Sequence, residues 1–147
     1  MAQDFTKGSS PEVAWSSTRG WSMQSLTIDF SKTPASSAEV LSIFQVPKNT
    51  LVSRIAAICH RAEGGAAVVD VGDGSDTDGF LVDFNVNSVA SSLSTLALTE
   101  GTPNTITGYS GGKYYTAADT IDVIPSADLD YAIVSFVVEL HCFDVTL

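Results

Sequence analysis

The stretch YAIVSFVVELHCF, residues 131–143, decides the fold class. Ala132, Val134, Phe136, Val138, Leu140 and Cys142 fall on one side of a period-2 pattern, while Ser135, Glu139 and His141 fall on the other among apolar residues. Side chains alternate across a β-strand, so this pattern predicts a strand with one buried face. A strand this long and this apolar belongs near the centre of a sheet.

The same alternation recurs upstream. In residues 25–30, Leu26, Ile28 and Phe30 alternate with Ser25, Thr27 and Asp29. A loop containing Pro34 follows. Ser36-Ser37-Ala38-Glu39 fits a helix capping box, but the turn at 46–50 leaves room for barely two helical turns, so a strand is preferred over 39–46. Residues 50–61 read as a long strand with Val52, Ile55 and Ile58. Glu63-Gly64-Gly65 reads as a tight hairpin turn, from which residues 66–71 return as a strand. Residues 72–79 form an acidic, glycine-punctuated loop, and 80–86 and 120–124 read as further strands, with a Ser-rich stretch at 88–98 between them. Turn signals spaced by about ten residues favour an all-β antiparallel sandwich or barrel over a βαβ fold. The expected organisation is one domain over residues 23–147, preceded by an extended arm at residues 1–22. The arm carries Trp15 and Trp21, whose indoles need apolar surface on the body of the domain or on a neighbouring subunit.

Composition narrows the function. Of 147 residues, 44% are hydrophobic, and at 16% the charged residues are fewer than usual, their place taken by Ser, Thr, Gly and Asn. The formal charge is −10, from seven Lys and Arg against 17 Asp and Glu, and no base follows Lys113. A polyphosphate partner needs a basic footprint, so nucleic acid and anionic membrane are disfavoured. No apolar run reaches the ~18 residues of a membrane helix, and no secretory signal is visible at the N-terminus. Synthesis in the cytoplasm is therefore expected, with Cys59 and Cys142 as two buried thiols rather than a bridge.

No constellation for catalysis emerges. His60 and His141 belong to no serine elbow and no paired metal-ligand spacing, and each adjoins a cysteine (Cys59, Cys142) that a strand would turn to the opposite face. Zinc is disfavoured for want of a C-x₂₋₄-C or H-x₃₋₅-H pair. The acidic loop is the one candidate site. Asp73, Asp76 and Asp78 ahead of Gly79 resemble half of a calcium loop, although Gly74 stands where the first Asp would be and Asn85 where the bidentate Glu is expected. The competing reading has the Asp side chains capping their own turn amides. No feature selects a carboxylate pair for glycoside hydrolysis. Trp15, Trp21, Tyr109, Tyr114 and Tyr115 could in principle form a sugar-stacking platform, but adjacent Tyr114 and Tyr115 face opposite ways on a strand. The residues point to no enzyme and no cofactor.

The segments FQVPKNTLV at 44–52, RAEGG at 61–65, DVGDGSDTDGF at 70–80 and YTAADTID at 115–122, followed by a hydrophobic terminal strand, resemble capsid decoration (cement) proteins of tailed bacteriophages. The resemblance spans about residues 25–147. It implies a jelly-roll sandwich, a homotrimer on the virion surface, the major capsid protein of the head as partner, and no enzymatic activity or cofactor. Arms in such proteins contact the lattice or a sister subunit, a use that would suit Trp15 and Trp21. The alternative is a carbohydrate-binding module of a fibre or tail, calcium-assisted through the acidic loop.

Overall fold

The computed structural model describes residues 3–4, 20–88, 92–94, 109 and 112–143. The strands are β1 (Gln3–Asp4), β2 (Gly20–Asp29), β3 (Leu41–Val46), β4 (Thr50–Arg61), β5 (Val68–Gly72), β6 (Leu81–Asn85), β7 (Ser92–Ser94), β8 (Lys113–Tyr115), β9 (Asp119–Pro125) and β10 (Ile133–Cys142). Two sheets face each other. One has the order β1-β3-β9-β5-β6, and the other β2-β10-β4-β7 with β8 also on β4. Every pairing is antiparallel except the two-residue β1, which joins β3 in parallel. The chain is an all-β sandwich, as its alternation requires.

β10 lies between β2 and β4, the central position its apolar face demands. Val134, Phe136, Val138 and Leu140 are fully buried. They share the core with Ile28 of β2 and with Val52, Ile55, Ala57 and Cys59 of β4. From the other sheet come Leu41, Ile43, Val69, Val71, Ile121 and Val123. Each large aliphatic or aromatic side chain so placed stabilises the fold by about 1.5–3 kcal/mol.

Ile58 of β4 is 40% exposed. The β4–β10 ladder shifts register between Glu139 and Leu140, opposite Arg54 and Val52, so Ser53 is an extra residue that resets the alternation. Beyond the bulge Ile55, Ala57 and Cys59 face the core, and Ile58 is turned out. The Glu63-Gly64-Gly65 turn is not a hairpin between paired strands. β5 pairs with β6 and β9, not with β4, so the turn carries the chain from one sheet to the other. The crossing is anchored because the Glu63 carboxylate accepts the backbone N–H groups of Asp130, Tyr131 and Ala132.

The capping-box signal has a real counterpart without a helix. Glu39 Oε2 accepts the Ser36 N–H at 2.9 Å and Glu39 N–H donates back to Ser36 O at 3.0 Å, closing a turn before β3. Trp15 lies outside the described residues. Gly20, Trp21 and Ser22, the last residues of the expected arm, pair through their backbones with Cys142, His141 and Leu140. Cys59 and Cys142 are not bonded to each other: they sit toward opposite ends of β10, against Val134 and Thr50 respectively.

Candidate functional site

Two regions bring chemistry-bearing side chains together, one turned inward and one outward. The inward one is built on the acidic loop after β5. Asp73 is 1% exposed, and its carboxylate is surrounded by donors. Oδ1 accepts the N–H of Ser75 (2.8 Å) and Asp76 (3.1 Å) and the Tyr109 hydroxyl (3.1 Å), while Oδ2 accepts the Lys113 ammonium and the Tyr115 hydroxyl. Lys113 also donates to Tyr109 Oη at 2.8 Å and lies over both tyrosine rings. Burial alone would push the Asp73 carboxyl up, but the hydrogen bonds from Lys113, Tyr115 and the two amides outweigh it and hold the group below the usual carboxylate range. Burial would likewise lower the Lys113 ammonium, yet Asp73 and Tyr109 raise it. Burial, and then hydrogen bonding to Asp73, push the Tyr115 phenol far above its ordinary value.

Close backbone approach makes this loop possible. A Cβ on Gly72 would collide with the backbone of Asp76 and Thr77, and one on Gly79 with the Tyr109 ring. Tyr109 in turn packs edge-on against Phe80, with ring centroids 4.9 Å apart.

Of the calcium candidates, Asp73 therefore spends both oxygens on the protein's own donors, the turn-capping alternative of the sequence reading. Asp76 and Asp78 are half-buried neighbours, and a hydrogen bond between their carboxyls, with their mutual repulsion, raises the Asp76 carboxyl above its ordinary value. Among the described residues no three His, Cys, Asp or Glu side chains gather as a metal site. One buried polar atom among them, Asp122 Oδ1, has no hydrogen-bond partner. Lys113 was not singled out from the sequence, although its place as the last base beyond a run of acids was the signal for its role.

The outward region is the exposed face of β2, β10 and β4. Ladder register lines up its residues in rows: Asp29, Ile133 and Arg61; then Thr27, Ser135 and Ile58; then Ser25, Val137 and Ala56; then Met23, Glu139 and Arg54. Met23 is 59% and Ile58 40% exposed. Polar side chains link the strands laterally. His60 Nε2 meets Ser135 Oγ at 2.8 Å, Ser135 Oγ meets Thr27 Oγ1 at 2.7 Å, and Arg61 binds Asp29 at 2.9 Å while lying over the Tyr131 ring. His141 Nε2 meets Ser53 Oγ at 3.1 Å and lies 3.5 Å from Glu139. The His60–Ser135 contact joins strands far apart in sequence, a pairing that no local motif encodes. The Ser135 hydroxyl sits mid-strand and is shared between His60 and Thr27, an arrangement that braces the three strands. Tyr115 is buried and Tyr114 exposed beside Phe143, so the two tyrosines do not form one stacking surface.

No family model and no curated protein matches the chain. Solved structures do. A chain in the acidic stable capsid structure of Helicobacter pylori bacteriophage KHP30 is similar with a TM-score of 0.55 and 9% identity, over 82% of this chain and 86% of that one. A chain in the capsid of Ralstonia phage GP4 is similar with a TM-score of 0.53 and 10% identity, over 84% of each. At such identities the likeness is one of fold: a β-sandwich of the kind found in phage capsid structures.

Proposed function

We propose that the chain is a virion structural protein, a decoration or cement protein that binds the outer surface of a phage head as a homotrimer and stabilises the shell, without enzymatic activity or cofactor. Its partner in this reading is the major capsid protein. The observation that carries the reading is the sandwich likeness to chains of two phage capsids over more than four-fifths of this chain. The jelly-roll assignment is supported by strand order. With β1 and β8 set aside, each connection crosses between β2-β10-β4-β7 and β3-β9-β5-β6 except the β5–β6 pair, the order of an eight-stranded double Greek key. The exposed face of β2, β10 and β4, with Met23, Val137, Ala56 and Ile58 between polar neighbours, is a surface suited to packing on another protein. In this reading Trp15 and Trp21 on residues 1–22 add a clasp to the lattice or a sister subunit.

Co-sedimentation with purified capsids tests the partner, and light scattering tests the trimer. Binding to heads at saturating stoichiometry is the expected result, and a chain that stays in the supernatant at all concentrations overturns it. Deletion of residues 1–22 should weaken binding or trimer mass. The calcium-assisted sugar module has less support, because Asp73 is already saturated by protein donors.

A further inference from the structure

A sheet edge exposes unpaired N–H and C=O groups, and folded proteins usually blunt it. Most edges of this sandwich are blunted. β3 has six residues, takes β1 on Leu41 and Ser42 and meets β9 through a register shift, while β7 and β8 are three residues each. β6 has five residues, pairs through a register shift, and carries Asp83 at a positive φ of 51°. β2 differs. Its ten residues pair with β10 without a register shift, contain no Pro, Lys or Arg, and carry one charge, Asp29, which Arg61 and Lys32 neutralise.

The direction of the free groups follows from one hydrogen bond. Phe30 N–H donates to Ala132 O at 2.9 Å, extending the β2–β10 register by one residue. In an antiparallel ladder a residue's N–H and C=O point to the same side, and the side alternates along the strand. Ile28, Leu26 and Gln24 therefore face β10, whereas Met23, Ser25 and Thr27 direct theirs to the open edge. Asp29, of the same parity, agrees: its carbonyl is turned from β10 and accepts the N–H of Lys32 and Thr33.

We propose that β2 pairs antiparallel with β2 of a second copy about a two-fold axis at Ser25, merging two β2-β10-β4 sheets into one continuous sheet. Ser25 lies midway among the free groups, and centring the pair there sets Met23 opposite Thr27 of the second copy. All three then find partners, and side chains on both copies remain on the same face. A second copy fits better than a foreign peptide because the edge is self-complementary. The small Ser25 sits on the axis, and the exposed Met23 gains the Thr27 methyl as neighbour. The two Asp29 carboxylates are carried to opposite ends. Charge favours this approach as well. β6 lies beside β7, at the other side of the sandwich, so the carboxylates of β5, β6 and their loop stay away from the junction of two chains that each carry −10.

Pairing at β2 is independent of the three-fold association proposed above and doubles whatever copy number that association sets. The test is sedimentation equilibrium of the full chain and of Ser25→Pro. Proline removes an N–H that points to the open edge and leaves the β10 ladder intact, the one place a strand tolerates it. The wild type should have the mass of an even number of copies, two or six, and Ser25→Pro should halve it while keeping the unfolding midpoint of wild type diluted until the β2 pair dissociates. A wild type of odd copy number, or an even one that Ser25→Pro leaves intact, overturns the proposal; two copies rather than six would count against the trimer alone. Should Ser25→Pro fail to fold, amide exchange of the wild type decides. The amides of Met23, Ser25 and Thr27 should exchange more slowly at high protein concentration than at low, and equal rates refute the pairing.

Discussion

The Asp73 cluster and the outer face of β2, β10 and β4 use similar side chains to opposite ends. In the first, a carboxylate, an ammonium and two phenols are turned inward and satisfy one another, fastening the acidic loop, residue 109 and β8 together. In the second, serine, threonine, histidine and arginine are turned outward, link neighbouring strands and leave Met23 and Ile58 bare. A buried polar network stabilises only when fully satisfied, whereas exposed hydrogen bonds contribute little and leave a surface available. The inward cluster should therefore govern stability and the outward face association.

The largest expected effect comes from opening the cluster. Asp73→Ala leaves Lys113 and two phenols without their acceptor and should cost about 3 kcal/mol in urea denaturation, near the lower end for a broken buried pair because the Lys113 side chain is partly accessible. A loss below about 1 kcal/mol would mean the cluster is ornamental. Next is Gly72→Ala, whose methyl would meet the backbone of the same loop. About 1–3 kcal/mol is expected, with the Asp73 hydrogen bonds loosened in the amide exchange of Ser75 and Asp76.

The pH profile comes third and has two limbs. Asp73 and Glu63 have depressed carboxyls, so their contribution is complete above the ordinary values of 3.8 and 4.5 and is lost as pH falls through the lowered ones. Asp76 and Asp130 are raised above 3.8 by Asp78 and Glu63 respectively, so their protonation relieves repulsion first. Melting temperature should hold or rise slightly on acidification to about pH 4.5 and drop below about 3.8. At the alkaline end Lys113, Tyr109 and Tyr115 are all raised, so stability is complete below their ordinary values of 10.5 and 10.0 and declines above about pH 10. Asp73→Ala should flatten both limbs; unchanged limbs would assign them to other groups.

The smallest effect on stability and a large one on association should come from Ile58→Asp. On the exposed face it should shift the unfolding free energy by less than about 0.5 kcal/mol while reducing capsid co-sedimentation. A variant that binds as well as the wild type would remove this face from the proposed interface.

Much of the fold was legible because one-sided burial writes itself as period-2 alternation. Residues 131–143 announced a central strand, and β10 is one. Alternation says nothing about where an extra residue resets it, so the bulge at Ser53, which leaves Ile55 buried and Ile58 exposed, was not legible. Nor does a Gly-Gly turn say whether the strands it joins pair or part, which is why residues 63–65 read as a hairpin. Opposite facing of His60 and Cys59, and of Tyr114 and Tyr115, followed from strand geometry alone.

By itself, then, the sequence determined the strand-and-turn character, the one-faced core and the acidic surplus, because these depend on neighbours along the chain and on composition. The tertiary structure alone decided which side chains meet across it. Asp73 found Lys113 and Tyr115 from a strand some forty residues on, and His60 found Ser135 from a strand further still. Among the described residues the tertiary structure also left β2 as a long open edge, since a strand's free hydrogen-bonding side exists only once its neighbours in the sheet are fixed.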